Sequence, residues 1–294
     1  MAGIRRIRLI TVLLLVSGAV SSFAVLRHNP DCGFLRLLRQ GAIVSAQPFE
    51  AFGAFHFVCL GICVTAAVAA GILAWRYADS RMTDRLVFAF GVLFLLLEWY
   101  KQIDYNCLNG NGAYDYTVFP FQFCSLPLYI CLVAPMLGQQ AKHTLYCFLA
   151  LFGTVGGYLV MAYPNLPASP VLCVHTMLWH TMMIVLGVWL LIATGCGKRF
   201  FRDYFRSAGV FLLSFATATG LNHLLYNRSG GKINLYYMSP YHKATFLLVG
   251  DAQERFGWGT SVAVYLLLFL FAGALPLWLL GAVFCRVREK KRKY

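Results

Sequence analysis

Eight stretches of this chain are apolar over about the ~20 residues that a helix needs to cross the hydrocarbon of a bilayer. They are Ile7–Leu26, Phe52–Trp75, Leu86–Ile103, Phe119–Leu137, His143–Tyr163, Pro170–Thr194, Ser207–Tyr226 and Thr260–Cys285. Inside lipid each backbone N–H and C=O must find its partner within the protein, so such runs are read as helices. The composition agrees: 60% of the 294 residues are hydrophobic and only 12% are charged, far from the balance of a soluble domain. The expected fold class is all-α, a multipass transmembrane helical bundle of 7–8 spans. Residues 1–51 form an N-terminal span (or signal) and outer loop, residues 52–285 the helical core, and residues 286–294 a basic tail.

The net charge of +14 would suit a nucleic-acid partner in a soluble protein. Here the cations sit in the connections, where they set orientation. Alternate polar segments, starting with the N-terminus, hold 17 of the 25 lysines and arginines. Both termini are therefore expected in the cytoplasm, and no nucleic-acid partner is expected. The tail Arg286-Val287-Arg288-Glu289-Lys290-Lys291-Arg292-Lys293 would lie against anionic lipid headgroups. Arg5, Arg6 and Arg8 ahead of Leu9–Val16, then small residues, also fit a secretory signal. Cleavage there would leave seven spans and an outside N-terminus.

The stretch from Phe119 is the odd one. It carries Gln122, Cys124 and three prolines, Pro120, Pro127 and Pro135. A continuous helix would bend at Pro127, because its ring meets the carbonyl of Phe123. Placing the other polar residues by depth, at ~1.5 Å per residue, gathers them in the outer half of the bundle. Glu98, Lys101 and Gln102 come from the third span, and Gln122 and Cys124 from the fourth. His175 and His180 come from the sixth, and Asn222 and His223 from the seventh. Charged groups at membrane depth face a partner or a cavity, so a shared pocket is expected. Interhelical hydrogen bonding would explain any one of these residues singly.

A thiol beside an imidazole is the minimum for acyl transfer. Cys124 is the candidate nucleophile and His180 its base, with His175 as the alternate base. Glu98, Gln102, Gln122, Asn222 and His223 would support the pocket, the amides as donors to an oxyanion. The expected substrate or ligand is a membrane lipid. The other reading is a non-enzymatic transporter or receptor for a small or lipidic ligand held in the same pocket.

The run Phe119-Pro120-Phe121-Gln122-Phe123-Cys124-Ser125-Leu126, with Glu98 and Gln102 before it and His175–His180 and Asn222–Pro240 after it, resembles the YwaF-like family of integral membrane proteins. The family usually has histidine where Gln122 stands and an aromatic where His223 stands. Eukaryotic relatives in the wider group are transmembrane acyltransferases that make polyunsaturated ether phospholipids. The resemblance implies a cysteine nucleophile at Cys124 and a partner histidine at His180.

The remaining cysteines carry weaker expectations. Cys32 and Cys107 fall in outward loops and could form a disulfide under oxidising conditions. Cys196 and Cys285 sit at the inner boundary, where S-acylation occurs. His175 and His180 lie five apart in sequence, about 140° around a helix, with no carboxylate nearby. Neither a metal nor another cofactor is expected, since no phosphate loop or dinucleotide fingerprint is present.

Overall fold

The computed structural model describes residues 2–41, 49–108, 113–167, 169–197, 199–246 and 248–276. Among them there is no strand. The helices are α1 (Ala2–His28), α2 (Gly33–Gly41), α3 (Ala54–Tyr77), α4 (Ser80–Ile103), α5 (Leu126–Val133), α6 (Gln139–Phe148), α7 (Thr154–Ala162), α8 (Pro170–Ala193), α9 (Phe200–Leu225), α10 (Val249–Phe256) and α11 (Trp258–Pro276). Seven helical segments are long and apolar enough to cross a membrane, α6 and α7 counting as one passage over Gln139–Ala162. The protein is an all-α, multipass integral membrane protein. The basic tail and Cys285 lie outside the described residues.

Polar cross-links fix the direction of each passage. At one end Arg8 reaches the Pro135 carbonyl, Lys142 and Tyr146 both bond Asp84, His143 meets Asp203, and the Tyr204 hydroxyl donates to the Leu270 carbonyl. At the other end Trp99 donates to Ser22, His56 bonds the Met161 carbonyl, and Trp258 donates to the Met238 carbonyl. Successive passages therefore run antiparallel. The first end, rich in Arg and Lys, is called the basic end below. Helix α8 and the α6–α7 passage are the most buried, and α4 packs on α1, α5 and α8. Helix α4 carries the charged group described below. It starts cleanly because the Asp79 carboxylate accepts the Met82 N–H at 2.8 Å, satisfying a donor of the first turn.

The fourth stretch is not the bent helix expected over Phe119–Leu137. Residues 119–122 are not helical, Phe123–Ser125 is a single 3-10 turn, and only Leu126–Val133 is α-helical. Pro127 falls in the first turn of α5, where its missing N–H would have had no partner in any case. Hence there is no kink, and the Phe123 carbonyl is not orphaned: it accepts the Leu126 N–H. Pro135 repeats the device in the 3-10 turn Ala134–Met136. The chain still passes from one end of the bundle to the other, half unwound. This is tolerated because protein covers it.

A π-helical turn at Leu149–Gly153 separates α6 from α7. There the passage meets α8 through glycine. A Cβ on Gly187 would fall 1.8 Å from the Thr154 hydroxyl oxygen, and one on Gly157 would fall 2.9 Å from the His180 carbonyl. These glycines set how closely the two segments approach.

Candidate functional site

Cys124 lies in the 3-10 turn that opens α5 and is half-buried. Two neighbours hold it there. Phe123 drives its ring into an aromatic nest, edge-on to Phe148, Phe211, Tyr236 and Phe269 at centroid distances of 6.3, 5.8, 5.7 and 5.3 Å. Such edge-to-face contacts add to the burial of the ring. Gly156 makes the nest possible, since a Cβ there would lie 2.4 Å from the Phe123 ring. On the other side the Trp179 indole N–H donates to the Cys124 carbonyl at 2.9 Å.

Trp179 also joins Cys124 to the charged group on α4. The Lys101 ammonium stands 5.9 Å from its ring centre and the His175 imidazole stacks on it at 5.6 Å. Lys101 is paired with Glu98 at 2.8 Å. Gln102 donates to Glu98 at 2.8 Å and to the Val118 carbonyl at 2.7 Å, while its oxygen accepts from Tyr114 and Asn106. The fields of Lys101 and Glu98 both reach the Cys124 sulfur.

The two histidines are buried and differ in what they offer. His180 Nδ1 is 2.7 Å from the Thr176 carbonyl. A carbonyl only accepts, so Nδ1 carries the proton and Nε2 presents a lone pair. That Nε2 is buried with no hydrogen-bond partner. His175 is reversed: Nε2 donates to the Leu97 carbonyl at 3.0 Å. The Cys124 sulfur is therefore not hydrogen bonded to His180 Nε2 in this conformation.

The remaining expected residues do other things. Gln122 donates to the Asn234 carbonyl at 3.0 Å and accepts the Tyr236 N–H at 2.7 Å. Asn222 donates to the Leu235 carbonyl at 3.1 Å and accepts the Leu235 N–H at 2.8 Å. Together they clamp a loop in which Tyr236 and Tyr237 take left-handed φ values of 59° and 55°, a strained conformation for bulky residues that needs such support. Both hydrogens of the Gln102 amide are committed as well. These amides hold backbone and ion pair, and the shared pocket expected from depth alone separates into two groups flanking Cys124. His223 belongs to neither: it is exposed and bonds Tyr241 at 2.9 Å.

Two clefts, of about 680 and 340 Å³, open at the basic end and neither is lined by Cys124. The smaller is bordered by His143. Behind it lies a group that sequence spacing overlooked. His143 Nε2 is 3.4 Å from Cys147 Sγ and 3.2 Å from Asp203 Oδ1, and the Cys196 thiol bonds Cys147. The signal was present: His143 and Cys147 are one helical turn apart and share a face. What sequence could not give is the α8–α9 turn that brings in Cys196 and Asp203. Cys196 is 1% exposed, so it is not presented for S-acylation. Cys32 and Cys107 are not joined by a disulfide, although both pack into one small cluster with Leu35 and Ile103.

Comparison with curated proteins and with solved structures finds no match. Residues 51–282 match the TMEM164 family, a span that takes in α3 to α11 with Cys124, His180 and the His143 group. The chain belongs to the TMEM164 family, whose members are integral membrane proteins.

Proposed function

We propose that the protein is a membrane-embedded lipid acyl-transfer enzyme in which Cys124 is the nucleophile and His180 the base. The observation that carries this reading is the pairing of two unusual features at one depth. One is a half-buried thiol on the unwound part of a crossing. The other is a buried imidazole whose Nε2 lone pair is unused, one residue from the tryptophan that holds the thiol's carbonyl. A packing cysteine needs no unwound backbone, and a packing histidine normally satisfies both nitrogens. The resemblance of the Phe119–Leu126 run to the YwaF-like family, whose wider group includes cysteine-dependent phospholipid acyltransferases, supports the same reading.

In the first half-reaction His180 Nε2 takes the Cys124 proton and the sulfur attacks the carbonyl carbon of a phospholipid ester. The C–O bond breaks, and the departing lysolipid oxygen takes the proton back from His180. The acyl group is then a thioester on Cys124. In the second half-reaction an acceptor hydroxyl gives its proton to His180 and attacks the thioester. The C–S bond breaks and the proton returns to sulfur. Lys101, partly offset by its partner Glu98, supplies the positive field that favours the thiolate and the oxyanion, a role the committed amides of Gln102, Gln122 and Asn222 do not fill. Transfer requires Cys124 and His180 to come within hydrogen-bond reach when lipid binds, as catalytic contacts often tighten only in the substrate complex.

The test is direct. The purified protein is placed in vesicles of labelled diacyl phospholipid with an excess of a lysophospholipid acceptor. Label should move to the acceptor, and a hydroxylamine-labile acyl group should be recovered on Cys124. Cys124→Ala should abolish both, and His180→Ala should slow transfer by about a hundredfold or more, the usual share of a general base. Undiminished transfer by Cys124→Ala would remove the reading.

A further inference from the structure

The basic end of the bundle carries a second chemical group that the acyl-transfer reading does not use. His143 and Cys147 project from one face of α6. Cys196 sits in the turn between α8 and α9, flanked by Gly195 and Gly197 at left-handed φ values of 66° and 97°. Asp203 lies in the first turn of α9, where the Gly197 N–H fixes Oδ2 at 3.2 Å. Cys147, Cys196 and Asp203 are 0%, 1% and 3% exposed.

As a hydrogen-bond network the group is crowded onto one atom. Cys147 and Asp203 both approach the same ring nitrogen, Nε2 of His143. One nitrogen can donate one proton or accept one, not both. To serve both it must share a single N–H between the carboxylate and the sulfur. In a nucleophile–histidine–acid triad the thiol and the carboxylate take opposite ring nitrogens, so the group is not a second catalytic triad either.

The distances fit another arrangement. The ligand atoms of His143, Cys147 and Asp203 all lie within 4.8 Å of one another. Around tetrahedral zinc, with Zn–S of about 2.3 Å and Zn–N and Zn–O of about 2.1 Å, neighbouring ligand atoms sit about 3.6 Å (S to N) and about 3.4 Å (N to O) apart. The observed separations are 3.4 and 3.2 Å. The Cys196 thiol touches Cys147 but is not one of the three mutually close donors. We propose that His143, Cys147 and Asp203 form a site for a borderline-soft divalent cation, zinc foremost, at the basic end of the bundle.

The chemistry of the donors selects the metal. A sulfur and an imidazole favour zinc over the hard cations magnesium and calcium, which take oxygen. The cation would neutralise one buried carboxylate and one thiolate, releasing the thiol proton as it binds. Arg202 is the nearest fixed cation to the carboxylate, but its nitrogen is 3.8 Å away and the side chain is 43% exposed. The cleft of about 340 Å³ beside His143 provides the entry path. Three protein ligands leave a fourth position open, as in zinc sites that keep an exchangeable ligand. The ion would tie α6 to the first turn of α9.

The test uses the full-length protein purified in detergent without chelators. Elemental analysis should find about one zinc ion per chain, as a single site requires. Cys147→Ala should lower this severalfold, while Cys131→Ala, a buried thiol outside the group, should not. Because a variant can fail to fold, the wild type is also exchanged with Co²⁺. The tetrahedral site should give intense visible bands and a near-ultraviolet sulfur-to-cobalt charge-transfer band. Wild-type protein that stays metal-free after incubation with excess Zn²⁺, or a cobalt spectrum without charge transfer from sulfur, would overturn the proposal. So would recovery of Cys147 and Cys196 as a disulfide in metal-free protein.

Discussion

The Trp179 indole N–H donates to the Cys124 carbonyl at 2.9 Å, and this bond ties the middle of α8 to the unwound start of α5. It is what holds the thiol at fixed depth, since Phe123 anchors the preceding residue only by ring contacts. Trp179→Phe keeps the stacking with His175 and most of the buried area but removes the donor. The carbonyl then loses its partner in a dry setting. The expected loss is about 1–3 kcal/mol of stability, the cost of an unsatisfied buried polar group. Acyl transfer should fall further than the folded fraction does. Thermal unfolding in detergent and transfer per folded molecule, measured on the same sample, check both parts.

Asn222 makes two bonds to the backbone of one residue, Leu235. Asn222→Ala strands the Leu235 N–H, in a loop already holding two left-handed tyrosines, while the Leu235 carbonyl keeps the Met238 N–H at 3.2 Å. The expected cost is about 1–3 kcal/mol, from one unsatisfied buried group. His223→Ala, one position along and exposed, should change stability by less than about 0.5 kcal/mol, as surface substitutions usually do. Chemical denaturation of the two variants side by side separates a clamp from a pocket wall. Equal effects would show that the loop does not depend on Asn222.

How far the sequence predicted these arrangements depends on the kind of information each needs. The passages were legible because the length of an apolar run answers to bilayer thickness alone. Charge in the connections then gave their alternation. The depth of Glu98, Gln122, His175 and Asn222 followed from counting along helices. Azimuth followed only within one helix: Lys101, three residues from Glu98, is spaced to pair with it and does, but depth could not tell that Gln122 and Asn222 turn toward residues 234–236. Pro127 was misread for a related reason. A proline bends a helix only if the helix has already begun, and here it begins at Leu126. The His143 group was hidden because two of its members, Cys196 and Asp203, reach it through a turn built on Gly195 and Gly197.

The ion pair of Glu98 and Lys101 should behave as a unit. Glu98 is buried, and its carboxylate is held by Lys101 and Gln102. Lys101→Met leaves that carboxylate with only an amide partner at membrane depth. Breaking a buried pair from one side costs about 3–5 kcal/mol, whereas replacing both members with apolar groups is often neutral. Lys101→Met should therefore be markedly less stable than the double variant Glu98→Leu with Lys101→Met. Lys101→Met should lose more transfer activity than the double variant, because it leaves the opposing charge of Glu98 acting on Cys124 alone. A double-mutant cycle on unfolding midpoints measures the coupling. Additive single effects would mean that the two charges are stabilised separately.

Gly91 offers a test of the α4–α5 contact that no change of charge complicates. A Cβ at this position would lie 2.9 Å from the Leu132 backbone nitrogen and 3.0 Å from the Cys131 carbonyl carbon. Backbone atoms cannot rotate aside as the end of a side chain can, so α5 must move as a body. Overpacking of this kind costs about 1–3 kcal/mol, and Gly91→Ala should lose stability in that range. Gly209→Ala on α9 is the control, because a Cβ there meets nothing within 4 Å. It should gain up to about 1 kcal/mol, the ordinary helix preference of alanine over glycine. The functional consequence separates the pair again. Pushing α5 away from α4 carries Cys124 away from Lys101, so Gly91→Ala should transfer acyl groups several times more slowly per folded molecule, with Gly209→Ala unchanged. If Gly91→Ala is as stable and as active as the wild type, α4 and α5 are not packed backbone to backbone, and the placement of Cys124 against the charged face of α4 is wrong.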